Sequence, residues 1–347
     1  MKPRIALLLG DPAGIGPELV ARLLADETNR QRADIFLVDD RDELEHGMKI
    51  AGLRFDYLTA SSAEHVRFEA GVPVLLPLPR PAGLAFKRSV ATKEGGAHTL
   101  RTLAAAMDLT RNGLADAVLF APLNKTSLHL AGMDHNDELH WFAQYLGHEG
   151  PFCEFNTLDG LWTSRVTSHV AIKDVPSLIT QAGIVDAIRL IHDGLQRFGI
   201  ATPRIGVCGL NPHNGDNGSF GREEIDLIAP AVQTARAAGL NAEGPFPADT
   251  IFLKVQGEPH QRQYDAIVTM YHDQGQIAIK LMGFSRGVTV QGGLPIPIVT
   301  PAHGTAFDIS QKGIANVGAM AQAFDVACRM GIHHRTRREE RPATQPA

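Results

Sequence analysis

The sequence predicts an α/β protein built as two α/β/α domains with a cleft between them. Three observations carry that prediction. The chain has 347 residues, more than one ordinary domain holds. Short apolar runs of strand length alternate with longer stretches of helical period, the pattern of βα units on a mainly parallel sheet. Its 34 glycines and 6% aromatic share suit a turn-rich α/β chain rather than a disordered or fibrous one.

Taken in order, Arg4–Leu9 is the first strand-like run, and the helix over Pro17–Ala25 opens on a residue with no amide proton to leave unsatisfied. Asp34–Val38 reads as the second strand. The helix over Ala97–Asn112 closes on Asn112-Gly113, as a left-handed cap does. Then come the strands Asp116–Phe120 and Ser164–Ser168, a helix over Val175–Phe198, the strand Arg204–Gly209, a helix over Glu223–Ala238 and the strand Ala266–Met270. Glu149–Gly160 and Gly283–Thr300 break the alternation and read as loops or inter-domain crossings. The first domain is therefore expected over 1–131 and 285–332, the second over 132–284, and a polar tail, 333–347, is expected to be disordered.

Composition narrows the function. The net charge is −5 and no long basic stripe crosses the body of the chain, which argues against nucleic acid as a partner. The longest apolar runs, Ile5–Gly10 and Ala115–Ala121, fall far short of the ~20 residues of a membrane span. No signal peptide is evident, so a cytoplasmic protein is expected. Cys153, Cys208 and Cys328 are scattered without a CxxC and read as reduced thiols.

The chemistry gathers at strand ends. Three strands are each followed by a histidine: His169, His213 (after Gly-Leu-Asn-Pro) and His272 (after Met-Tyr). In an open parallel sheet the carboxyl ends of strands share one edge, where ligands bind. One such histidine is ordinarily a hydrogen-bonded loop residue; three from separate strands suggest a divalent metal with open positions for substrate. Asn211 and Asp273 are placed to fix imidazole tautomers or to cap turns. Lys125, after Ala-Pro-Leu-Asn, and Lys280 are candidates for proton handling and for anchoring a substrate oxygen, or are solvated lysines. Gly10-Asp-Pro-Ala-Gly14-Ile-Gly16-Pro-Glu18 reads as a tight strand-to-helix turn with Asp11 toward the cleft; Asp11 and Glu18 make it a poor phosphate cradle. The run His303-Gly-Thr-Ala-Phe-Asp-Ile-Ser-Gln-Lys-Gly-Ile-Ala-Asn316 resembles the adenosine-binding loop of the isopropylmalate and isocitrate dehydrogenases.

Together Gly10–Glu18, Ala121-Pro-Leu-Asn-Lys125, Gly209-Leu-Asn-Pro-His213, Pro247-Ala-Asp-Thr250, Met270-Tyr-His-Asp-Gln-Gly275 and His303-Gly-Thr-Ala306 resemble the 4-hydroxythreonine-4-phosphate dehydrogenase family, in order over nearly the whole chain. The resemblance implies an isopropylmalate/isocitrate dehydrogenase-like fold and a homodimer whose active site is completed across the subunit interface. It also implies one divalent metal, zinc, magnesium, manganese or cobalt, on His169, His213 and His272, the last donated by the partner subunit. The implied activity is NAD- or NADP-dependent oxidation of the secondary alcohol of a small hydroxy acid, with possible decarboxylation. On this reading Lys125, Lys280 and Asp249 are catalytic. Glu138, Leu139, Lys280 and Thr289 contact substrate, and His303, Gly304, Asn316 and Gly292 contact the cofactor.

Three positions depart from the family. Its Gly-His-Thr-Glu segment corresponds to Asp137-Glu138-Leu139-His140, an asparagine is Thr289, and an arginine is Ile298. A phosphate deprived of such an arginine loses a contact worth about 1.5–3 kcal/mol, and Glu138 adds repulsion, so phosphate is disfavoured. Trp141, Phe142 and Tyr145 either line a flatter pocket or form one buried helix face. The alternatives are a cis-dihydrodiol carboxylate or sugar-acid dehydrogenase of a catabolic pathway, and a catalytically dead metal-and-ligand sensor.

Overall fold

The computed structural model describes residues 2–135 and 137–340, apart from the side chain of Phe284. The elements run β1 (Arg4–Leu8), α1 (Gly16–Ala25), α2 (Glu27–Arg32), β2 (Asp34–Asp39), α3 (Arg41–Ala51), β3 (Leu58–Thr59), β4 (Val74–Pro77), α4 (Lys93–Arg111), β5 (Ala117–Phe120), α5 (Lys125–Leu130) and α6 (Glu138–Tyr145). They continue with β6 (Cys153–Leu158), β7 (Leu161–Arg165), α7 (Val175–Leu178), α8 (Gln181–Phe198), β8 (Ile205–Cys208), α9 (Ala229–Ala237), β9 (Ala242–Phe246), β10 (Ala266–Thr269), α10 (His272–Gly283), β11 (Val288–Gly292), β12 (Ile298–Pro301) and α11 (Gly318–Glu340). The chain divides into two compact units. The first runs up to Glu149 and resumes at Leu294, and the second is Gly150–Gly293. These divisions fall later than 131 and 284, because α6 belongs with the first unit, where Phe142 packs on Phe120 with ring centres 5.7 Å apart.

In the first unit all strands are parallel, in the order β3-β4-β2-β1-β5-β12. β1, in the middle, is apolar along its length and buried from Ile5 onward, as a parallel strand covered on both faces must be. In the second unit the order is β11-β6-β7-β10-β8-β9, antiparallel at β11-β6-β7 and parallel thereafter. Phe155 of β6 lies fully buried between two glycines: a Cβ on Gly292 would meet its ring at 2.2 Å and one on Gly194 at 2.6 Å. Gly292→Ala is therefore expected to destabilise the protein by about 2–3 kcal/mol through overpacking. A thermal melt checks this, and an unmoved midpoint sinks it.

Several expectations are corrected. Glu149–Gly160 and Gly283–Thr300 are the crossings between the two units, as one of the two expectations has it, but they also contain β6, β11 and most of β12 rather than only loops, because their Gly and Pro flank the strands instead of interrupting them. The helix expected over 175–198 breaks at Thr180, whose side chain accepts the Gly183 N–H at 3.0 Å and starts α8 afresh. The one expected over 223–238 begins as a π-turn, Glu224–Ile228, ahead of Pro230, which has no N–H to give to the i−4 carbonyl. The expected tail is helical as far as Glu340. Its charges are used locally: Arg338 donates to buried Asp116 at 3.2 Å, and Arg335 lies 4.0 Å from the same carboxylate. Residues 341–347 lie outside the described residues. No helix among the described residues is long and apolar enough to cross a membrane. Burial pushes the thiols up, Cys153 to about 11 and Cys208 and Cys328 to about 12, so all three stay protonated near neutral pH.

Candidate active site

β7, β10 and β8 are parallel neighbours, with Thr269 in register with Arg165. Their carboxyl ends therefore lie side by side, and each is followed within a few residues by one of the three histidines. His169, just past β7, and His272, the first residue of α10, bring their ring centres to 5.9 Å. The Nδ1 of His272 lies 2.7 Å from Asp273 Oδ1, which fixes the ring orientation and leaves Nε2 as the outward nitrogen. Both His169 (φ 43°) and His213 (φ 52°) sit in the left-handed region, an uncommon place for a side chain of this size. His213 starts a run with Asn214, Asp216 and Asn217, all at positive φ, and its ring lies 6.4 Å from that of Phe220. Among the described residues of one chain no group of three His, Cys, Asp or Glu is assembled as a metal site.

Asn211 does not serve an imidazole. Its side chain donates to Glu223 at 2.6 Å and to Glu224 at 3.0 Å, while Glu224 also accepts the N–H groups of Leu210 and Asn211, each at 2.7 Å. It ties down the His213 loop instead. A residue that sequence reading missed supports His169. Arg165, buried at the end of β7, donates to Ser168 Oγ at 2.7 Å, to Asn156 Oδ1 at 3.1 Å and to Glu154 at 2.9 Å. Only the strand pairing reveals that role.

In the same unit Thr289 is buried and accepts from Asn156 Nδ2 at 3.2 Å. Lys280 is exposed in the last turn of α10, about 12 Å along the helix from His272. Asp249 is exposed in the turn before a short 3-10 helix, Ile251–Val255. Gly292 has the packing reason given above.

In the first unit Lys125 opens α5, capped by Asn124, which accepts the Ser127 N–H at 2.9 Å. Its Nζ lies 4.0 Å from Glu138 Oε2, at the start of α6. Asp137 caps α6, accepting from His140 N at 3.0 Å and lying 2.6 Å from its Nδ1. Burial pushes the Asp137 carboxyl up, but the His140 contacts and the charge of Lys125 outweigh it and hold it below the usual carboxylate range. Leu139 and Phe142 are buried. Trp141 and Tyr145 are half-buried with ring centres 5.4 Å apart, and Tyr145 donates to Asp108 at 3.0 Å, so the aromatic cluster is divided between core and surface. Asp11 is 1% exposed, so it does not face solvent; burial raises its pKa, against hydrogen bonds that lower it. The 303–316 segment is a loop that leaves Gly304, Ile314 and Asn316 exposed and His303 half-buried, with open space where a Cβ of Gly304 would stand.

Comparison with known proteins identifies the family. A Pseudomonas aeruginosa protein, provisionally named 4-hydroxythreonine-4-phosphate dehydrogenase 2, is 66% identical over 95% of this chain and 98% of its own length. The D-threonate 4-phosphate dehydrogenase of Cupriavidus necator is 36% identical over 97% and 98%. The crystal structure of 4-hydroxythreonine-4-phosphate dehydrogenase from Klebsiella pneumoniae superposes with a TM-score of 0.84 at 32% identity, covering 95% of this chain and 98% of that one. A terephthalate 1,2-cis-dihydrodiol dehydrogenase from Burkholderia xenovorans gives 0.66 at 26% identity over the same shares. The family model of the pyridoxal phosphate biosynthetic protein PdxA matches residues 31–327, so the chain belongs to the PdxA family and is a dehydrogenase acting on a CH–OH group.

Proposed function

We propose that this dehydrogenase is a cytoplasmic, metal-dependent NAD(P) enzyme that oxidises the secondary alcohol of a small hydroxy acid. The observation that carries this is the His169–His272 pair at the ends of adjacent parallel strands, in a chain of this family. Two imidazoles with ring centres 5.9 Å apart suit a divalent cation, and the chemistry of the donor set admits zinc, magnesium, manganese or cobalt. One chain pairs His169 with His272 itself, where the resemblance implies that the partner donates His272, and it does not assemble three donors among its described residues; we therefore assign the set His169, His213 and His272 to a homodimer, with the third imidazole supplied by the partner subunit. Held by these residues, such a cation would supply Lewis-acid chemistry that makes a bound alcohol more acidic. The 303–316 loop would hold the adenosine half of the cofactor through His303, Gly304 and Asn316, and the nicotinamide would supply the hydride acceptor. Lys125 takes up or relays the hydroxyl proton, and Lys280 anchors a substrate carboxylate. Asp249, exposed in its turn, and Thr289, already bonded to Asn156, are the weaker members of the set.

The relatives are named for phosphorylated hydroxy acids, which is the first substrate reading; the second is an unphosphorylated acid, such as a sugar acid or a cis-dihydrodiol carboxylate. Glu138 beside Lys125 supports the second by compensating the cation a phosphate would need. The test is a panel of hydroxy acids, phosphorylated and not, offered with NAD or NADP while reduced cofactor is followed with and without chelator. Turnover that stops on chelation is expected. No turnover with any member, or turnover indifferent to the chelator, overturns the proposal.

A further inference from the structure

The loop 303–316 is fastened to the turn after β1 and to α1 at four points. Ile15 N–H donates to the Thr305 carbonyl at 3.1 Å. Ser310 Oγ donates to the carbonyls of Ala13 and Gly14 at 2.9 and 3.2 Å. Arg22 Nη2 donates to the Gly313 carbonyl at 2.5 Å, and Ala315 N–H donates to Glu18 Oε1 at 2.9 Å. The same Glu18 oxygen accepts Arg22 Nε at 2.9 Å, so one carboxylate holds both the loop and the second clamp. The fit is close: a Cβ on Gly14 would meet Thr305 Cβ at 2.8 Å.

Glu18 is 1% exposed and in the first turn of α1, where a carboxylate also complements the helix dipole. Ala315 is buried, whereas its neighbours Ile314 and Asn316 are exposed. The bond at Ala315 is therefore a pivot that turns the two flanking side chains outward. Without Glu18, the buried N–H of Ala315 loses its acceptor and the guanidinium of Arg22 keeps only the Gly313 carbonyl.

We propose that Glu18, acting with Arg22, is the positioning residue for dinucleotide binding: it presets the 303–316 loop in its binding shape and never touches the ligand itself. This rests on the reading that the loop holds the cofactor. It also gives a purpose to the carboxylate that makes the Gly10–Glu18 turn look unfit for phosphate, since that carboxylate faces the loop.

The test measures NADH and NADPH affinity by fluorescence titration, together with amide hydrogen exchange across the loop. For Glu18→Ala, a rise in Kd of about tenfold is expected from lost preorganisation, with faster exchange confined to the loop. Glu18→Gln, which keeps an acceptor for Ala315 N–H but not the ion pair, should rise about threefold, as should Arg22→Ala. Turnover at saturating cofactor should change less than about twofold, a split that general unfolding does not produce. Should Glu18→Ala fail to fold, Arg22→Ala decides. If Asn316→Ala weakens binding but the Glu18 and Arg22 variants do not, this inference alone falls. If Asn316→Ala and the Glu18 and Arg22 variants all leave affinity unchanged, the cofactor reading falls and takes the inference with it.

Discussion

His169→Ala is expected to reduce turnover about a thousandfold, the size of the several kcal/mol that a cation polarising an alcohol supplies, and to release bound metal. The variant should stay folded. Alanine loses the preference histidine has for the left-handed backbone at φ 43°, a small cost at one turn, and the Arg165–Ser168 bond that supports the turn does not involve the imidazole. His272→Ala should behave alike, because its ring is the near neighbour. So should His213→Ala if a dimer completes the site, even though that ring is not gathered with the other two in one chain. His260→Ala, at an exposed histidine in a 3-10 turn, is the control and should retain both metal and rate. Metal content by elemental analysis and initial rates decide the matter. Full metal and full rate in His169→Ala would remove the foundation of the proposed chemistry.

Much of this site was legible because it hangs on strand ends. A parallel strand buried on both faces writes itself as a continuous apolar run, and the histidines past Cys208 and Thr269 follow such runs, whereas β7, before His169, is apolar only at Leu161 and Trp162. Less legible was anything that depends on which strands are neighbours. The antiparallel β6 and β11 are half polar and bounded by Gly and Pro, so local sequence resembles loop, and only pairing explains why Glu154, Asn156 and Arg165 meet. The tail was misjudged for a related reason. Composition describes an isolated segment, and the arginines of α11 find their partner in Asp116, more than two hundred residues earlier. Glu18 was judged by its charge in a turn, when its role is set by a loop almost three hundred residues later.

Glu138→His is expected to shift preference toward phosphorylated substrates, raising kcat/KM for a four-carbon hydroxy-acid phosphate about five- to thirtyfold relative to its unphosphorylated counterpart. The charges around Lys125 explain why. Its Nζ lies 4.0 Å from Glu138, and Asp137 also feels its charge, so two carboxylates face one ammonium. Two unit charges at that distance interact by about 4 kcal/mol at an effective permittivity of 20. The Lys125 side chain is half exposed, so screening reduces this to the order of 1–2 kcal/mol, which is the range of the expected change. Asp137 caps the N-terminus of α6, so Glu138, in the first turn, adds a second carboxylate near the helix end that a bound anion would use. Histidine removes the competing charge and brings a ring that can itself become a cation, whereas Glu138→Gln removes the charge alone and should reach part of the way. A substrate ratio unchanged in both variants shows that Glu138 does not set the choice, and the preference must then be sought at Thr289 and Ile298.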